Sequence, residues 1–218
     1  MRRSLMSLFF AGAISSVFTG GGATVRAIPV ASVVPLDVNL VRNPGAELGV
    51  TGDPDGYKLV PIKHWVRAGK FTLVPFGASG GFPTVAEGTR IHGGKYFFAG
   101  GADNTRSSAS QLIDVSTRAA KIDAGRLRVQ VSAFLAGYAT QSDSAQVVVE
   151  FMNASGVVVG AVRTAPVSAT SEKFVKKSAA ALVPSGTRKL RVKLLAARGN
   201  GSYNDGYFDK LDLRIKLV

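Results

Sequence analysis

Four stretches of this chain alternate apolar and polar residues with a period of two, and that constrains its fold more than any other feature. "RLRVQVSAFLAGY" puts Leu127, Val129, Val131, Ala133 and Leu135 on one face, against Arg126, Arg128, Gln130 and Ser132. "AQVVVEF" turns Val147, Val149 and Phe151 the same way. "RKLRVKLLAAR" does so with Leu190, Val192, Leu194 and Ala196 against Lys189, Arg191 and Lys193. The last is "YFDKLDLRI", with Leu211, Leu213 and Ile215 against Asp212 and Arg214. A period of two is that of a strand with one face buried. Turn signals separate these stretches: "NASG" at 153–156, "VPSG" at 183–186 and "GNGS" at 199–202. "GVVVGAV" (156–162) and "SEKFVKKSAAALV" (171–183) read as further strands. "KYFFAGG" (95–101) and "SASQLIDV" (108–115) read as a pair, and 116–125 holds at most a helical turn. Short strands at such spacing, with 25 glycines in 218 residues, predict an all-β antiparallel sandwich of jelly-roll type.

The first 27 residues read as a secretory signal peptide. "MRR" supplies a positive start, "SLMSLFFAGAISSVF" an apolar run too short for a membrane span, and a cleavage site falls after Ala27. Residues 28–37, with two prolines, read as a linker or edge strand, and 38–218 as one domain. The expected location is therefore extracellular or at the cell envelope, with no span in the mature form. Cysteine is absent, so disulfides and thiolate metal sites are excluded and the core must carry stability. Beyond Ala27 stand 24 basic against 14 acidic residues, about +10, which favours an acidic polysaccharide or envelope polymer over any specific nucleic-acid contact. A solvated basic surface accounts for the same count.

Catalytic patterns are missing. The two histidines, His64 and His92, stand in no metal or dyad spacing. "GASGG" (77–81) lacks the Lys-Ser/Thr of a phosphate loop, and no G-x-S-x-G elbow occurs. "GDPDG" (52–56) opens like a calcium loop but lacks the closing Glu. The expectation is a non-catalytic binding module, with an acidic-polymer-binding envelope protein or a polysaccharide lyase as the alternatives.

One residue breaks the alternation. Counted back from Leu211, Asp209 falls on the apolar face, and an unpaired buried carboxylate costs several kcal/mol. It must find a partner, whether a cation, an ion pair or backbone N–H groups, or become neutral.

Three motifs in order, "NLVRNPGAELG" (39–49), "GGKYFFAGG" and "YNDGYFDKLDL", resemble the galactose-binding-like β-jelly-roll superfamily, which includes many carbohydrate-binding modules. The likeness is strongest to secreted bacterial proteins with the same opening and ending, and it spans about 39–215. It implies that the first and last strands lie side by side with a structural calcium between them. Carried over by position, Glu47 and Asp209 would supply carboxylates, and Asn43 and Lys95 backbone oxygens. Lys210 stands where the family commonly has Asn. Trp65, the one tryptophan, would pack the core, and Tyr207 would be buried beside Asp209.

A glycan ligand requires aromatic faces for its apolar C–H groups and polar side chains for its hydroxyls. The candidates outside evident strand cores are Phe76, Phe82, Tyr138 and Tyr203, with Asn104, Arg106 and Asp205 as polar loop partners. Neither the sugar nor the oligomeric state is legible in the sequence.

Overall fold

A computed structural model describes residues 32–49 and 55–218. The proposed signal peptide lies outside the described residues, as do 28–31 of the linker. Among the described residues ten strands form two five-stranded antiparallel sheets. They are β1 (Val66–Ala68), β2 (Thr72–Pro75), β3 (Tyr96–Ala102), β4 (Arg106–Asp114), β5 (Leu127–Ala136), β6 (Ser144–Met152), β7 (Val158–Arg163), β8 (Val175–Leu182), β9 (Lys189–Ala197) and β10 (Tyr203–Leu217). One sheet runs β1-β4-β9-β6-β7, the other β2-β3-β10-β5-β8. Two short helices, α1 (Val85–Ile91) and α2 (Ala119–Asp123), complete the set with one turn of 3-10 helix at Ser116–Arg118. Among the described residues no helix is long and apolar enough to cross a membrane.

The alternating residues meet between the sheets. Leu127, Val129, Val131, Ala133 and Leu135 of one sheet, and Val147, Val149, Leu190, Val192 and Leu194 of the other, are fully buried in a common core. Trp65 packs there edge-on against Phe98, ring centroids 5.5 Å apart. One expectation changes. "KYFFAGG" and "SASQLIDV" do not pair: β3 bonds to β2 and β10, while β4 bonds to β1 and β9 in the other sheet. The basic strand residues divide. Arg128, Arg214 and Lys216 lie on one sheet, and Lys189, Arg191 and Lys193 on the other. Alternation shows which side of a strand a residue takes; it does not show which sheet the strand joins.

A second apolar layer covers part of the outer face of the β2-β3-β10-β5-β8 sheet. Phe98 enters the main core, so its neighbour Phe97 points the opposite way, as successive strand residues must. Phe97 there joins Phe76, Phe82, Ile91, Phe174, Tyr203 and Tyr207 under α1 and the loops around it. Phe76 lies 5.0 Å from Phe97 and 5.9 Å from Phe174 between ring centroids. This aromatic-rich layer explains why so many rings fall outside the alternating pattern.

Residues 32–37 form no strand. The chain nevertheless lies along the last strand: Asp37 N donates to Ile215 O (2.9 Å), Leu40 N to Leu213 O (2.8 Å), and Leu211 N to Pro44 O (2.9 Å). Asn39 completes the seam, its amide donating to Leu211 O and its oxygen accepting from Leu213 N.

Candidate functional site

Asp209 sits at a break in the last strand. β10 advances three residues, from Asp209 to Asp212, while its partner β5 advances two, from Phe134 to Ser132. The extra residue is a β-bulge, with Lys210 in the left-handed region at φ 47°. A bulge reverses the parity of every side chain beyond it. Asp209 therefore shares a face with Tyr207 and Phe134, outside the main core, while Leu211, Leu213 and Ile215 point into it. The alternation rule placed Asp209 on the inner face because it assumed an unbroken strand.

The carboxylate is nonetheless fully buried. The turns at Gly45 and Gly93 close over it, and a Cβ on Gly93 would lie 2.2 Å from Asp209 Oδ2. Oδ1 accepts from Lys210 N (2.6 Å); Oδ2 has no partner. Burial, reinforced by the nearby charge of Glu47, pushes the Asp209 carboxyl up to about 8 against the opposing effects of the Lys210 N–H and ammonium. Glu47 reaches the same turn, where its Oε1 accepts from Lys95 N (2.9 Å) and Tyr96 N (2.8 Å). The Lys95 carbonyl accepts from Phe76 N, and the Asn43 carbonyl from Trp65 Nε1. Each keeps one lone pair. The Lys210 ammonium lies beside the same turns and donates to His92 O at 3.1 Å. Among the described residues no three acidic, histidine or cysteine side chains cluster for a metal. A cation here would depend on two carboxylates and backbone oxygens. An all-oxygen set with one orphaned buried carboxylate oxygen fits a hard cation such as calcium.

Replacement of Gly93 by Ala is expected to destabilise the protein by about 1–3 kcal/mol, since neither the methyl nor the carboxylate has room to move. A thermal melt equal to that of the parent protein would show that the turn relaxes freely.

At another part of the structure the loops before and after the strands form an aromatic pocket of about 200 Å³, lined by Tyr57, Gly80, Phe82, Tyr138, Gln141, Gly201, Ser202, Tyr203 and Asp205. Tyr57, Phe82 and Tyr203 meet edge to face, with centroids 5.1–5.9 Å apart. Tyr203 donates its hydroxyl to Gly56 O, and burial raises its pKa far above the ordinary value. Tyr207, beneath the pocket, donates a short hydrogen bond to Asp205 Oδ1. Burial raises the Asp205 carboxyl to about 6. The Gln141 side-chain oxygen is buried without a partner. Among the described residues no lysine or arginine lines this space.

Four of the seven ligand candidates, Phe82, Tyr138, Tyr203 and Asp205, thus come together. The others do not. Phe76 is buried against Phe97 and Phe174 and presents no face to solvent. Asn104 spends its amide on the carbonyls of Gly100, Gly101 and Ala102. Arg106 lines a separate hollow with Ser108, Gln146 and Leu195. Sequence reasoning missed Tyr57 and Gln141. Tyr57 follows "GDPDG", which marks a turn, and a turn-flanking tyrosine was the available signal.

No protein-family model matches the chain, and a search of curated proteins finds no match. Solved structures do resemble it. TmCBM61, solved in complex with beta-1,4-galactotriose, aligns over 82% of this chain and 99% of its own with TM-score 0.50 and 15% identity. The CBM22-1 xylan-binding domain of Paenibacillus barcinonensis Xyn10C aligns over 74% of this chain and 89% of its own, with TM-score 0.40 and 13% identity. A CBM4 module aligns over 81% and 99%, with TM-score 0.41 and 11% identity. The likeness to TmCBM61 shows the fold alone, a β-sandwich jelly roll.

Proposed function

We propose that the chain is a secreted, non-catalytic carbohydrate-binding module that takes a neutral sugar in the loop pocket around Tyr57, Phe82, Tyr138, Tyr203 and Asp205. One observation carries this reading: aromatic walls, the Asp205 carboxyl and the unpartnered Gln141 oxygen converge in a space that no lysine or arginine among the described residues lines. A sugar offers apolar C–H faces to the rings and hydroxyl protons to Asp205 and Gln141. The volume lies below the range typical of drug-sized ligands, so the pocket suits a single sugar unit. The leader sequence supports export.

A cation held by Asp209 and Glu47, with the carbonyls of Asn43 and Lys95, belongs to the same reading. It would neutralise two carboxylates and bind the turns at 43–47 and 92–95 to the last strand. Its role is structural.

A glycan array on the purified protein in 0.1 and 0.5 M salt tests the pocket. Binding to a neutral glycan should survive high salt, where screening removes charge attraction. Tyr57→Ala should then weaken the selected glycan about tenfold or more, because Tyr57 is a half-exposed wall, not a core residue. Retention only at low salt, or an unchanged affinity in the variant, would overturn the assignment.

A further inference from the structure

The uncovered half of the outer face of the β2-β3-β10-β5-β8 sheet has a different chemistry. Its rows are set by register: Lys176 beside Phe134, Ser178 beside Ser132 beside Asp212, Gln130 beside Arg214, and Arg128 beside Lys216. Two adjoining hollows, of about 540 and 220 Å³, share Ser132, Lys176 and Asp212 and so form one trough. It runs from the turn bearing Glu47 and Lys210 to the Arg214 and Lys216 end of β10.

We propose that this trough is a second binding site, for an acidic polysaccharide whose sugars carry carboxylates. Three observations carry it. The floor is of small or polar side chains, Ser132 and Gln130, with exposed Ser178 beside Ser132 and partly exposed Phe134 at one end, so hydroxyls and one apolar sugar face find partners. Arg128 and Lys176 have no acidic partner among the described residues. Arg214 is held by Asp212 at 2.9 Å, and Lys216 by Asp37 at 3.2 Å. Arg128 also stands directly across from Lys216 and extends the basic end of the trough beyond it.

The charge is sparse. Asp212 and Glu47 stand among the cations in the trough. Duplex DNA, with one charge per roughly 1.7 Å, would meet those carboxylates repeatedly. A polymer with at most one carboxylate per sugar can place its charges at Lys176 and, just past the trough beside Lys216, at Arg128, and pass Asp212 with a hydroxyl. The occupant is therefore a uronic-acid chain and not a nucleic acid. This assignment does not rest on the loop pocket.

The test uses fluorescent alginate oligosaccharide and duplex DNA against the purified protein at 0.1 M salt. The double variant Arg128→Gln, Lys176→Gln should weaken alginate at least tenfold. Ser178→Glu, which adds a carboxylate to the floor, should do the same by itself. Tyr57→Ala should leave alginate binding unchanged, so the two sites can fail separately. All variants alter exposed side chains, and melting curves check their folding. An unchanged alginate affinity in both groove variants overturns the proposal. So does DNA binding as tight as alginate and lost in the same variants, which would assign the trough to nucleic acid.

Discussion

Metal-free protein is expected to melt at a lower temperature at pH 8 than at pH 6, and saturating calcium to abolish that difference. The cause is Asp209. Its carboxyl lies at about 8 in the folded chain and starts from an ordinary 3.8. Between those values the unfolded chain has released the proton and the folded chain still holds it. The folded state binds more protons, so stability falls as pH rises through this window and levels off above the folded value. Each pKa unit corresponds to about 1.4 kcal/mol, so the two units from pH 6 to 8 correspond to roughly 2–3 kcal/mol. For a chain of this size that is a drop of about 5–10 °C. Asp205, raised to about 6, acts mainly below pH 6 and adds little between pH 6 and 8. A bound cation favours the carboxylate, removes the reason to hold the proton, and adds its own binding energy. Asp209→Asn should flatten the profile and remove the calcium response together. A metal-free melt with no slope between pH 6 and 8 would eliminate the buried protonated acid. A sloping melt that calcium leaves untouched would eliminate the cation.

The same residue marks the limit of what the sequence reveals. The core faces of β5, β6 and β9 were legible because nothing interrupts their alternation. Asp209 was legible as an anomaly, but the turns at Gly45 and Gly93 bury it, not the core face that alternation assigned to it. Its face was not legible, because a bulge leaves no signature in the residue order: Lys210 adopts a left-handed backbone without being Gly or Asn. The loop pocket was half legible for a related reason. Aromatic residues outside alternating strands mark either a ligand surface or a second apolar layer, and this chain has both. Phe76 and Phe82 look alike in the sequence, yet Phe76 packs against Phe97 and Phe174 while Phe82 reaches the pocket wall. Only three-dimensional neighbours distinguish them. Likewise each strand shows its outward charges, but their division between two sheets depends on strand order.

Asp143 is a further residue that the sequence does not mark, and its loss should be felt both in stability and in sugar binding. It lies in "TQSDSAQ", which reads as an ordinary polar loop. In the structure it is fully buried. Its Oδ1 accepts from Gly199 N (2.8 Å) and Asn200 N (2.9 Å), and its Oδ2 from Asp205 N (2.8 Å). One carboxylate thus anchors the loop carrying Gly201, Ser202, Tyr203 and Asp205, which is one side of the pocket. In Asp143→Asn an amide NH2 replaces one acceptor oxygen and faces backbone N–H groups, donor against donor. At least one buried donor then loses its partner, at about 1–3 kcal/mol, and Asp143→Ala leaves three without theirs. The melting temperature should fall by about 2–4 °C per kcal/mol lost. Because the anchored loop bears pocket residues, the affinity for a neutral glycan should fall at least tenfold at temperatures where the variant is still folded. Alginate binding in the outer trough should persist, since no trough residue hangs from that loop. If Asp143→Asn melts like the parent and binds the neutral glycan equally well, the loop has another anchor and the pocket does not depend on this one.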